Sequence, residues 1–129
     1  MPLLLAFLLF LPHDKSWPVP KEASEKKNPV KATAASLKQA KALYEDNCMV
    51  CHGEKGNGKG AGAAALRVVP SNFTDSHMMK EMTDGEIFYK MSEGRAPMTA
   101  FKGRLTEEQR WGLVNYLRQF AKRSPAKKK

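Results

Sequence analysis

The sequence predicts a nearly all-α domain, and three observations carry that expectation. Apolar residues recur at helical spacing in three separate stretches, each introduced by a Ser or Thr three residues ahead of a Gln or Glu. No run alternates apolar and polar residues for long enough to make a strand, and the one short β-branched stretch, Arg67-Val68-Val69, stops at Pro70. Five glycines between 53 and 62 then mark a long irregular connection between the first and second helical stretches.

Taken in order, Ser36 and Gln39 read as a capping box opening the first helix, in which Leu37, Ala40, Leu43 and Tyr44 share a face up to Asn47. The loop with Gly53, Gly56, Gly58, Gly60 and Gly62 has only Lys55 and Lys59 among it and no G-K-[ST] sequence, so it is a wrap and not a phosphate cradle. Thr83 and Glu86 cap the second helix ahead of Ile87, Phe88 and Met91, and Gly94 closes it. Thr106 and Gln109 cap the third, whose stripe of Trp111, Val114, Leu117 and Phe120 is expected to pack on the first helix or on the edge of a cofactor. Gly112 inside that helix costs about 1 kcal/mol relative to Ala, with nothing in the sequence to account for it.

The organisation divides into residues 1–11, a hydrophobic segment; 12–35, a linker; 36–121, the domain; and 122–129, a basic tail. The apolar run at 3–11 is too short to span a bilayer but has the length of a secretory signal core, although no Lys or Arg precedes it and no small-x-small site follows. Pro12, Pro18, Pro20 and Pro29 make the next stretch read as extended. The formal charge of +9 is unevenly spread: residues 1–47 carry seven basic and five acidic side chains, 48–117 carry nine and eight, and 118–129 carry six and none. That tail reads as a solvated end or as a contact for an anionic membrane surface or acidic partner. Nucleic acid is not an expected partner, because no aromatic residues interleave with the terminal lysines.

The domain holds fewer than ninety residues, a size at which a core made of protein alone is marginal. The only two cysteines lie within it, in Cys48-Met49-Val50-Cys51-His52. C-x-x-C-H is the pattern of covalent c-type haem attachment. Thiols three residues apart fall on one side of a helical turn, where both can form thioethers along one haem edge, and His52 then lies beneath the iron. Two other chemistries use such cysteines. A thioredoxin-like dithiol would need a strand leading into the motif, whereas a helical pattern leads into this one. A structural zinc site wants four ligands, and beyond the motif only His13 and His77 remain as histidines.

If His52 takes one axial position, the second ligand decides between electron transfer and chemistry on a bound small molecule. The candidates are Met78, Met79, Met82, Met91, Met98 and His77. Met91 belongs to the apolar face of a helix, where methionine usually fills the core, and Met78, Met79 and Met82 cluster loosely ahead of that helix. Met98 stands apart: it follows Pro97 in a non-helical stretch, Gly94 to Phe101, where a restricted backbone can hold a thioether at a fixed point. On the residues alone the others stay open.

Together, the helix at 37–44 leading into 48–53, then Asn72-Phe73-Thr74-Asp75, the loop at 95–101 and the helix at 105–121 resemble a class I c-type cytochrome. The likeness is to the small bacterial monohaem kind, similar to haem-c subunits of terminal oxidases, and it covers residues 36–121. It implies a small all-α cytochrome c fold in which the first and last helices cross around one covalent haem c. Cys48 and Cys51 would then be the attachments, His52 and Met98 the axial ligands, and the Pro70 carbonyl the acceptor for the other nitrogen of His52. Many relatives place glycine where this chain has Ala40, which implies a slightly wider crossing.

The expected function is therefore that of an electron carrier, not an enzyme, passing single electrons between redox protein partners in an extracytoplasmic or periplasmic respiratory chain. Leu66, Phe73, Phe88, Phe101 and Trp111 are expected to keep water from the iron. The rival reading is a haem enzyme or gas sensor with a labile sixth ligand, for which Arg95 and His77 are the available distal groups. A third keeps the haem but makes the domain a fixed subunit of a larger oxidoreductase complex, which gel filtration of native extract with haem staining would separate from a free shuttle.

Overall fold

A computed structural model of the chain describes residues 17–123. Six α-helices lie along them: α1 (Lys21–Ser24), α2 (Ala34–Asn47), α3 (Met49–His52), α4 (Ser76–Glu81), α5 (Asp84–Glu93) and α6 (Glu107–Arg123), with 3-10 turns at Ala63–Ala65 and Phe101–Gly103. No strand forms among the described residues. A lone antiparallel bridge pairs Arg95 with Met98.

The caps set the helix boundaries. α2 begins earlier than the Ser36–Gln39 pattern suggests, because Thr33 is the N-cap and Ser36 its reciprocal partner: Ser36 N–H donates to Thr33 Oγ1 at 3.1 Å, and Thr33 N–H donates to Ser36 Oγ at 2.9 Å. The other two boxes form where they were expected. Glu86 N–H reaches Thr83 Oγ1 at 3.1 Å and Gln109 N–H reaches Thr106 Oγ1 at 3.1 Å, each with the reciprocal bond from the N-cap N–H. The methionine cluster, expected to be a lead-in to α5, is a helix of its own, α4, capped by the Asp75 carboxylate on Met78 N–H at 3.1 Å.

α2 and α6 make the most extensive contact of the fold. Ala40 and Tyr44 of α2 meet Leu113, Val114, Leu117 and Phe120 of α6, all at most 5 % exposed. Gly112, unexplained by the sequence, lies opposite Ala40: a Cβ built on it would sit 4.0 Å from the Ala40 Cβ. The crossing thus sets a glycine of α6 against an alanine of α2. Tyr44, Tyr116 and Phe120 pack as a trio with ring centroids 5.1–5.3 Å apart. On the other side of α6, Trp111 stacks on Phe88 of α5 at 3.9 Å.

Two expectations are corrected here. Part of the segment read as an extended linker carries α1 and is bonded to the domain: Thr83 Oγ1 donates to Ser24 O at 2.7 Å, and Asn28 Nδ2 donates to Trp111 O at 3.1 Å. Pro18, Pro20 and Pro29 thus punctuate a docked segment, while Pro12 lies outside the described residues; the segment's anchors, Asn28 and Thr83, are polar side chains whose partners lie far along the chain. Arg118, counted with the basic tail, is an internal tie. Its guanidinium meets Asp84 at 2.9 Å, Met82 O at 2.6 Å and Met79 O, satisfying carbonyls at the end of α4. The hydrophobic run at 3–11 and residues 124–129 lie outside the described residues.

Candidate haem-attachment site

α3 is a single turn, and it gathers the motif into one turn of backbone. Cys51 N–H and His52 N–H both donate to Cys48 O, at 3.2 and 2.9 Å. Both cysteines are free and half-buried. A turn this short leaves its carbonyls without helical partners, and the glycine-rich loop supplies them by folding back: Gly58, Gly60 and Gly62 N–H donate to His52, Cys51 and Val50 O at 2.8, 3.0 and 2.8 Å. Gly60 lies so close to Val50 O that a Cβ there has no room. This is why the stretch after the motif is rich in glycine.

The Tyr44 hydroxyl locks the same turn to the helix crossing, donating to Gly53 O at 2.6 Å. Burial, with Cys48 and Tyr116 adding to it, pushes the Tyr44 phenol well above its ordinary range, so it stays a donor. Burial also pushes the Cys48 thiol up to about 12, with the neighbouring Cys51 adding to the shift. A thioredoxin-like dithiol would need a strand leading into the motif, whereas α2 leads into this one. For zinc, no group of three or more His, Cys, Asp or Glu side chains among the described residues is placed to hold an ion.

His52 is half-buried and stacks on Phe73 at 4.6 Å between centroids. Its Nδ1 lies 3.2 Å from Ser71 O, so the acceptor is one residue beyond the expected Pro70. The Pro70 carbonyl is directed at Gly58 instead, 2.5 Å from where a Cβ there would stand. Burial lowers the His52 pKa while the Ser71 carbonyl works against that shift. With Nδ1 as the donor to Ser71 O, the ring would present the Nε2 lone pair, the form a metal ligand takes.

Met98 is half-buried and packs on the same hydrophobic core as Cys48 and Met49. Its loop is closed at several points. Met98 N–H donates to Arg95 O at 2.8 Å, and Lys102 Nζ meets Glu93 at 2.8 Å across the base. Gly94, at φ +62, touches Thr99 and Ala100 so closely that a side chain is excluded. Of the other candidates, Met79 and Met91 are buried core residues, Met78 and Met82 lie half-buried at its edge, and His77 is exposed beside Glu81 at 3.4 Å. Phe73, Phe88, Phe101 and Trp111 are buried as expected, and Leu66 is half-buried.

Two free thiols on one turn, an imidazole fixed through its far nitrogen and a loop-borne thioether on the same core form a donor set that fits a covalently attached haem. The family model for cytochrome c matches residues 37–121. The chain belongs to the cytochrome c family. As a cytochrome c it carries covalent haem c and serves electron transfer. It is 28% identical over 88 residues to cytochrome c6 of Chlorolobion braunii, covering 64% of this chain and 89% of that protein. It is also 28% identical over 75 residues to cytochrome c6 of Euglena gracilis, covering 58% and 82%.

Among solved structures, the KustC0563 c-type cytochrome is 32% identical with a TM-score of 0.55, covering 63% of this chain and 95% of that one. A component of the Kuenenia stuttgartiensis reducing HAO-like protein complex Kustc0457/Kustc0458 shares the fold at a TM-score of 0.62 and 24% identity; the match covers 71% of this chain and 46% of that longer one. The residues that sequence reasoning missed are Ser71, Tyr44 in its bond to Gly53, and Thr33. Only Thr33 had a local signal, a hydroxyl three residues ahead of Ser36.

Proposed function

We propose that this cytochrome c is a monohaem carrier of single electrons between protein partners outside the cytoplasm, with Cys48 and Cys51 as thioether attachments and His52 and Met98 as axial ligands. The observation that carries the reading is the α3 turn itself, where both thiols and the imidazole share one backbone turn whose carbonyls are held by the glycine loop. Bound there, the haem iron supplies the one-electron couple, and a methionine ligand raises its potential. The chain's own residues fix the geometry. Ser71 O orients the His52 ring, the 94–100 loop carries the Met98 sulfur, and Phe73, Phe101 and Leu113 keep water out of the core behind them.

Export is the part of the proposal that rests on the apolar run at 3–11 and on the chemistry of the site. No helix among the described residues is long and apolar enough to cross a membrane. Expressed with its N-terminal segment and a c-type maturation system, the chain should keep its haem through denaturation and gain the mass of one haem. Cys48→Ser with Cys51→Ser should lose both. Wild-type protein that leaves its colour behind on denaturation would overturn the covalent reading.

A further inference from the structure

Residues 17–33 run across the outside of α5 and α6 and are held there by contacts that reach far along the chain. Ala23, Ser24 and Lys26 lay their carbonyls against Gly85 in the first turn of α5. A Cβ on Gly85 would stand 2.9 Å from Ser24 O and 3.0 Å from Lys26 O, and would collide with Ala23 O outright. Asn28 Nδ2 bridges Trp111 O and Asn115 Oδ1, and Asn115 Nδ2 returns a bond to Val30 O at 2.8 Å. At the other end, the Trp17 ring lies 4.6 Å from the Arg95 guanidinium and 5.9 Å from Lys90 Nζ.

Arg95 is the residue whose carbonyl accepts from Met98 N–H. Apart from Met98 and Gly94, the loop at 94–100 is exposed. The ion pair at its base, Glu93–Lys102, is exposed on both sides and adds little. We propose that residues 17–33 are a strap that positions the Met98 loop, with Trp17 as the positioning residue on Arg95 and Gly85 as the close approach that lets the strap dock. This rests on Met98 being the second axial ligand. Loss of the strap raises the rate at which the loop opens while leaving the covalent attachment untouched, since among the described residues no hydrogen bond joins the strap to α3.

The test is the rate of cyanide binding to the oxidised holoprotein, which requires the methionine to leave, read beside the near-infrared sulfur-to-iron band and hydrogen exchange of residues 17–33 and 94–100. Gly85→Ala improves intrinsic helix propensity, yet it should deprotect the strap and raise the cyanide rate about tenfold. Trp17→Ala should raise it about two- to fivefold, with Trp17→Phe restoring most of the loss. Phe120→Leu, which loosens the Tyr44–Tyr116–Phe120 trio, is the control for general loosening, and should change the rate less than Gly85→Ala at equal loss of thermal stability. Strap protection unchanged in Gly85→Ala, or a released strap with an unchanged cyanide rate in both strap variants, would overturn the proposal. Equal acceleration in Phe120→Leu would overturn it too. A wild-type protein with no sulfur-to-iron band fails the ligation reading first, and the strap's role falls with it.

Discussion

Tyr44 joins the two halves of this molecule, because its ring lies in the α2–α6 crossing while its hydroxyl holds Gly53 O just past the haem motif. Tyr44→Phe keeps the ring and removes one of the two donors to Gly53 O, leaving Gly56 N–H at 3.1 Å, so it should cost about 1 kcal/mol in a chemical denaturation curve of the holoprotein. A loss under a few tenths of a kcal/mol would mean that water replaces the hydroxyl. At this scale the sequence was readable where the chemistry is local. Cys48, Cys51 and His52 sit within one turn, so their spacing alone specifies their geometry. The partner of His52 was not readable to the residue, because it depends on how far a loop of flexible glycines runs before it returns, and that moved the acceptor from Pro70 to Ser71.

The helices are tied together by interactions whose partners lie tens of residues apart. Arg118 on α6 holds Asp84 and the Met79 and Met82 carbonyls, with its side chain only 24% exposed. Arg118→Ala would leave those carbonyls and a carboxylate without their donor, and should cost about 2–3 kcal/mol of stability. Arg118→Lys should recover only part, since an ammonium cannot reproduce the planar fork. Gly112→Ala is expected to act in the opposite sense. The new methyl would meet Ala40 Cβ at an ordinary contact distance, and the helix gains up to about 1 kcal/mol, worth roughly 4–8 °C in thermal midpoint. A fall in the midpoint would show that the crossing has no room for it. The capping boxes at Thr83 and Thr106 could be read from four residues each, whereas Arg118 looked like tail charge because its partners, Met79, Met82 and Asp84, give no sign of it locally.

For the molecule as a whole, the charge distribution separates a nearly neutral domain from its C-terminal end. With Arg118 taken into the fold, the terminal excess is Lys122, Arg123, Lys127, Lys128 and Lys129. Deleting residues 124–129 should leave the absorption spectrum and reduction potential unchanged while reducing association with anionic vesicles and flattening its dependence on salt, because exposed charges are screened over roughly 10 Å at 0.1 M. Identical co-sedimentation curves for full-length and shortened protein would make the tail a solvated end. The overall architecture was legible because helical periodicity and caps repeat through the domain. The docking of residues 17–33 was not, since prolines and mixed charge describe a docked strap and a free linker equally well, and only the pairing of Asn28 with Asn115 and of Ser24 with Thr83 distinguishes them.

We propose that Cys48 and Cys51 attach one haem whose low-spin iron is held by His52 and Met98 with no open position. The most direct test is the near-infrared sulfur-to-iron absorption band of the oxidised holoprotein, recorded for wild type, Met98→Ala and Met91→Leu. The account predicts the band in wild type and in Met91→Leu, and its loss in Met98→Ala together with a lower reduction potential and carbon monoxide binding to the reduced iron. A band that persists in Met98→Ala would contradict it and assign the ligand to another methionine.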